Sequence, residues 1–119
     1  MGSVAYAENV IEDMLQQYNA AGVLPFSAER GRQAWIKEVK ASDGKMRRCA
    51  SCHGIDLSAK GKHVKSGKVI EPMAVSANED RFTKQKKINK WFKRNCKWTW
   101  GRECTAWEKG DFLMYFQQN

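Results

Sequence analysis

No stretch of this sequence holds 18 consecutive apolar residues, so none of it reads as a bilayer-spanning helix. A second C-x-x-C is missing too. Beyond Cys49 and Cys52, the remaining cysteines, Cys96 and Cys104, stand eight apart, a spacing that does not suit a zinc ribbon. Nothing alternates apolar and polar as half-buried strands do, which leaves a thioredoxin-like redox pair without its βαβ context. Acidic residues are few, 13 against 21 Lys and Arg, for a formal charge of +8. That balance suits nucleic acid, but no recognition motif accompanies it, and an acidic protein partner accounts for it better. A chain of 119 residues has no room for a second core. Residues 1–3 read as start residues and 4–119 as a single domain. No secretory leader is apparent ahead of that domain.

What is present is Cys49-Ala50-Ser51-Cys52-His53, and the rest of the chain is arranged around it. C-x-x-C-H is the attachment signature of a c-type haem. Two cysteines three apart on a helical turn face the same way, so both sulfurs can add to the vinyl groups of one porphyrin edge. His53 then follows at once and is placed for the proximal position on the iron. The expected cofactor is one covalent haem c, and the expected fold is an all-α cytochrome c. Haem is attached to this motif outside the cytoplasm, so the expected location is the periplasm, where a spare cysteine pair tends to oxidise.

In chain order, Val10, Ile11, Met14, Leu15 and Tyr18 recur at helical spacing and predict an amphipathic helix from Val4 to about Ala20, ended by Gly22 and Pro25. Ser27 is placed as the N-cap of a second helix through about Val39. On it Gly31, Ala34 and Trp35 share a face, which resembles the glycine and aromatic one turn apart before the haem motif of many c-type cytochromes and so implies a close crossing there by the last helix. Thr105-Ala106-Trp107-Glu108 is a T-x-x-E capping box, predicting a helix to about Gln117 whose Phe112, Leu113, Tyr115 and Phe116 pack on Trp35. Between Gly54 and Asp80 the sequence reads as a loop wrapping the haem edge, with Leu57, Val69, Ile70 and Met73 as candidate ring contacts. Lys62, Lys65, Lys68 and Arg81 are within reach of propionates. Thr83 to about Asn95 predicts a basic amphipathic helix with Ile88, Trp91 and Asn95 on one face.

The occupant of the sixth iron position decides function. Composition favours Met73, the ordinary thioether ligand of an electron carrier. His63 sits in a Lys-rich turn, and Asn95 reads most simply as a helix C-cap. However, Lys68-Val69-Ile70-Glu71-Pro72-Met73-Ala74, Asn78-Glu79-Asp80-Arg81-Phe82-Thr83, Lys90-Trp91-Phe92-Lys93-Arg94-Asn95-Cys96, Gly101-Arg102-Glu103-Cys104-Thr105 and Glu108-Lys109-Gly110-Asp111 resemble the sphaeroides haem protein family, from about Ser27 onward. That resemblance implies a class I cytochrome c fold, here with an extra N-terminal helix, and an oxygen-binding monohaem protein.

The resemblance also implies that Asn95, just before the first cysteine of a Cys96–Cys104 disulfide, ligates ferric iron through its side-chain oxygen. It would dissociate on reduction so that O2, NO or CO binds. Met73 is then a haem contact with Trp91, Leu57 and Arg81, and the electron donor is a dihaem cytochrome c. Trp98 and Trp100 lie outside the family pattern. The alternative function is a low-spin electron-transfer cytochrome with Met73 on the iron. Enzymatic turnover would need a distal proton donor, and no carboxylate or second histidine is clearly placed for one.

Overall fold

A computed structural model describes residues 4–19, 25–41 and 43–119. Residues 1–3, and Gly22 as the predicted end of the first helix, lie outside the described residues. Among the described residues five α-helices form the body, α1 Val4–Asn19, α2 Ala28–Ile36, α3 Ala50–His53, α4 Gln85–Trp100 and α5 Ala106–Gln117, with a 3-10 turn at Glu79–Phe82. Two antiparallel ribbons of two residues per strand interrupt the loops. In one, β1 Val39–Lys40 pairs with β2 Met46–Arg47; in the other, β3 Gly61–Lys62 pairs with β4 Val69–Ile70.

The frame is the crossing of α2 over α5. Ser27 caps α2 by accepting from Arg30 N, and Thr105 with Glu108 closes the predicted capping box on α5. A Cβ at Gly31 would run into the Asp111 backbone carbonyl and lie 2.9 Å from Tyr115 Cβ, so the close crossing requires glycine. Asp111 is buried, and it accepts from Ser27 N at 2.7 Å and Arg30 Nε at 3.0 Å, which ties the start of α2 to α5. Trp35 is fully buried at that crossing, 5.3 Å from the Phe116 ring and 5.9 Å from Phe112. The α1 stripe Ile11, Met14, Leu15 and Tyr18 joins the same core and packs on α5.

Three sequence expectations need correction. The second helix stops at Ile36 instead of Val39, because Lys37 is extended and Val39 pairs with Arg47. The loop after His53 contains the β3–β4 hairpin, where the sequence suggests no strand, with Val69 on it 56% exposed. The basic helix runs to Trp100, where Gly101 turns into the left-handed region at φ 73° and donates to Lys97 O. Asn95 is therefore not a C-cap; it lies in the middle of a helix.

Candidate haem site

The motif forms a single helical turn. The Cys49 carbonyl accepts from His53 N at 3.2 Å, and Gly54 N returns to Ala50 O at 2.9 Å. Cys52 and His53 are buried and Cys49 half-buried, all three held in place by neighbouring backbone. A Cβ at Gly61 would strike the Cys52 carbonyl and lie 2.8 Å from His53 Cα, so β3 rests directly on the turn. From the other side Trp35 Nε1 donates to Gly54 O at 2.9 Å, with its ring 5.1 Å from His53. Neither brace is announced by the sequence, since a glycine in a loop and an indole N–H carry no partner label.

Burial pushes the Cys49 thiol up to about 12, so the unattached sulfur is a neutral thiol. Burial likewise pushes His53 down to about 4, against a hydrogen bond from its imidazole to Asn95 that works the other way. At neutral pH the ring is uncharged, the form a metal ligand needs. Its Nδ1 is buried without a hydrogen-bond partner.

Across from His53 stands α4. Ile88, Phe92, Cys96 and Thr99 form its buried stripe, with Trp91 and Asn95 alongside and half-buried. Asn95 Nδ2 donates to Trp91 O at 2.9 Å, one turn back. With the amide nitrogen so engaged, the amide oxygen is the end left free. Trp91 itself lies 5.6 Å from the His53 ring. Immediately after Asn95, Cys96 is bonded to Cys104, both buried, with Cα atoms 5.6 Å apart. The disulfide therefore fastens α4, one turn before its end, to the segment just ahead of α5.

The other candidates occupy distinct places. Met73 is buried beneath a loop pinned to Leu57, whose carbonyl accepts from Met73 N at 3.0 Å and Ala74 N at 2.9 Å. Arg81 donates to Pro72 O and Glu71 O, so it braces that same loop, and burial lowers its pKa. His63 Nδ1 accepts from Lys65 N and Ser66 N within its own turn, and its ring lies 5.4 Å from Trp98. Trp98 and Trp100 form the final turn of α4: Arg47 stacks 4.1 Å over Trp98, and Trp100 packs 5.7 Å from Phe112. A cavity of about 340 Å³ opens beside Trp91, its apolar floor made by Met73, Phe82, Ile88, Phe92, Leu113 and Phe116.

Two cysteines and a neutral imidazole on one turn, with a ring of buried aromatics around them, fit a porphyrin attached through thioethers. The fold and site define a monohaem c-type cytochrome, whose cofactor is one covalent haem c. Residues 21–116 match the family described as a domain of unknown function, DUF1924. The chain is 38% identical over 102 residues to cytochrome c-type protein SHP of Cereibacter sphaeroides, covering 86% of this chain and 78% of that protein. It is also 34% identical over 85 residues to cytochrome c'' of Methylophilus methylotrophus, covering 71% and 59%.

The structure of oxidised SHP, described as an oxygen-binding cytochrome c, matches with a TM-score of 0.82 at 35% identity, over 92% of this chain and 96% of that one. The solution structure of cytochrome c'', described as giving insight into haem-ligand detachment, matches at 0.79 and 29%, over 96% and 94%. The chain belongs to the DUF1924 family and, through its likeness to SHP, to the sphaeroides haem protein cytochromes. Among the described residues no helix is long and apolar enough to cross a membrane.

Proposed function

We propose that this chain is a periplasmic, high-spin, gas-binding cytochrome. In it Cys49 and Cys52 carry the haem thioethers, His53 is the proximal ligand, and Asn95 is a distal ligand that lets go on reduction. When bound, haem c supplies a redox-active iron with one coordination position opposite the histidine. The observation that carries the reading is the placement of one amide: the Asn95 nitrogen is tied to Trp91 O, which leaves its oxygen free on a side chain near enough to act on His53.

An amide oxygen is hard, neutral and weakly donating, and it suits ferric better than ferrous iron. Asn95 therefore holds its place in one oxidation state and withdraws in the other, and a single electron gates access for O2, NO or CO. Oxygen binding described for SHP and ligand detachment described for cytochrome c'' support the same behaviour here.

The electron donor is a dihaem cytochrome c or another acidic redox protein. Its docking row is Lys86, Lys90, Lys93 and Lys97, exposed along the outer side of α4, the same helix that carries Asn95. Met73 gives the alternative, a low-spin electron carrier, because its side chain is buried and lines the cavity beside Trp91.

Absorption spectra in both oxidation states decide between them. A high-spin ferrous protein that takes up CO, with Asn95→Ala five-coordinate in both states, is the expected result. A ferric sulfur-to-iron charge-transfer band that disappears in Met73→Leu, with a CO-inert ferrous form, would replace Asn95 by Met73.

A further inference from the structure

Among the described residues two buried polar side-chain atoms have no hydrogen-bond partner, His53 Nδ1 and Trp100 Nε1. The first belongs to the haem site; the second belongs to a residue outside the family pattern. Trp100 is the last residue of α4, and it lines a cavity of about 210 Å³ with Ala34, Lys37, Val39, Arg102 and Glu108. None of the six is a candidate haem contact. The cavity sits where the end of α2, β1, the end of α4 and the start of α5 meet.

The one carboxylate in that lining is engaged elsewhere. Glu108 Oε1 accepts from Arg102 Nη1 and from Thr105 N, both at 2.8 Å, and Oε2 accepts from Arg102 Nη2 at 2.9 Å. Arg102, over the Trp100 ring at 5.1 Å, is neutralised by that pairing. Lys37 is exposed and takes no part in the ion pairs of the described residues. Lys37 and Arg102 against Glu108 leave the lining one positive charge in excess, beside an unmet N–H and the apolar side chains of Ala34 and Val39. A buried donor gains most from an ionised acceptor, and a carboxylate is the acceptor that also suits Lys37.

The place of the cavity on α4 ties it to the docking row. Steps of four and three residues carry Lys86 to Lys90, Lys93, Lys97 and Trp100, so at about 100° per residue the row ends at this ring. Next to Trp100, the Thr99 side chain hydrogen-bonds the Cys49 thiol, one of the two haem attachment sulfurs. Solvated lysines steer a partner but fix it poorly; interfaces are held by a few side chains seated in pockets, tryptophan prominent among them.

We propose that the Trp100 cavity is the anchor of the docking face. It takes one Asp or Glu side chain of the acidic redox partner, whose carboxylate accepts from Trp100 Nε1 and pairs with Lys37. The partner is thereby seated over the end of α4 that touches Cys49. This rests on the reading of the α4 lysines as the donor's docking row.

The test uses the complete oxidised holoprotein and, as partner, an oxidised flavodoxin, a strongly acidic one-electron carrier; calorimetry gives the Kd of the complex. Trp100→Phe keeps an aromatic ring and removes the N–H. Lys37→Gln removes the charge at the cavity, and Lys93→Gln/Lys97→Gln thins the row. A second arm follows the indole N–H signal of Trp100 in 15N–1H spectra, assigned by its loss in Trp100→Phe, as sodium acetate replaces sodium chloride at constant ionic strength.

The row variant is expected to weaken flavodoxin binding about tenfold at low salt and hardly at all at physiological salt. Trp100→Phe weakens it about fivefold at both, because a desolvated hydrogen bond to a carboxylate is screened far less. Lys37→Gln weakens it about threefold at low salt. Acetate moves the indole signal downfield and saturates, and chloride does not. An unchanged Kd in Trp100→Phe and Lys37→Gln overturns the anchor, even where Trp100→Phe lowers the urea midpoint, since Trp100 then serves only the fold. An indole signal that acetate moves, with flavodoxin binding unchanged in both cavity variants, also overturns it, because the cavity then takes free carboxylates and no partner. If the row variant binds as the natural chain does, the docking row falls, and Trp100→Phe still decides the cavity separately.

Discussion

The turn bearing His53 and the helix bearing Asn95 face each other, yet they are built on opposite principles. His53 belongs to a one-turn helix gripped from both sides, by β3 at Gly61 and by the Trp35 indole on Gly54 O. Asn95 stands in the middle of a sixteen-residue helix, and only its side chain, held by one hydrogen bond to its own helix, reaches toward the site. His53 is positioned by backbone, Asn95 by a side chain with two rotatable bonds. The contrast is what a cytochrome needs if one axial bond is permanent and the other conditional.

The proximal grip breaks most completely at Gly61. Gly61→Ala forces a methyl into the Cys52 carbonyl and toward His53 Cα, and neither is the movable end of a side chain. A loss of about 2–3 kcal/mol is expected from overpacking of this kind, together with a reduced yield of haem attachment. Urea midpoints and the ratio of haem absorbance to protein measure both. Wild-type stability with full attachment would mean that β3 does not brace the turn.

The distal side depends instead on the Cys96–Cys104 bridge. Closing a loop between cysteines eight apart contributes about 2–3 kcal/mol in the chain-entropy picture, and Cys96→Ser/Cys104→Ser should lose that amount. It should also change CO rebinding, because α4 then lacks its tie to α5 beside Asn95. Unchanged rebinding after selective reduction would show that the helix alone fixes the amide. Next in size is Trp35→Phe, which leaves the Gly54 carbonyl without its donor; a cost of about 1–2 kcal/mol and a shifted iron–histidine stretch in the ferrous Raman spectrum are expected. A change in stability with no Raman shift would make Trp35 a core residue only.

These two sides were unequally legible in the sequence. The attachment turn announces itself because covalent chemistry fixes its spacing, and the Thr105–Glu108 box and the Gly31 crossing are visible because capping and close packing demand particular residue types. The resemblance supplied the Cys96–Cys104 pair, which the structure contains. What local pattern missed was the length of α4. A basic run ending in Asn-Cys looks like a helix end, but the disulfide and the packing of Thr99 and Trp100 carry the helix one more turn to Gly101. The β3–β4 hairpin escaped notice because two-residue strands carry no periodicity.

The smallest expected effect concerns the link between the distal loop and α5. Burial alone would push the Glu108 carboxyl up, but hydrogen bonds from Arg102 and from Thr105 outweigh it and hold its pKa below the usual glutamate value. A carboxylate depressed in the folded state binds its proton more readily when unfolded. Its contribution is therefore complete above the ordinary glutamate value and disappears as pH falls through the lowered folded value. Part of the pair is solvated, with Arg102 at 53% side-chain exposure, so screening limits the contribution to about half a kcal/mol. Glu108→Gln keeps a capping amide but no charge, so the difference in urea midpoint between it and the natural chain should shrink as pH drops below 4.5. A difference that stays constant from neutral pH to acid would assign the capping box to hydrogen-bond geometry alone, and leave the distal support, like the proximal grip, independent of charge.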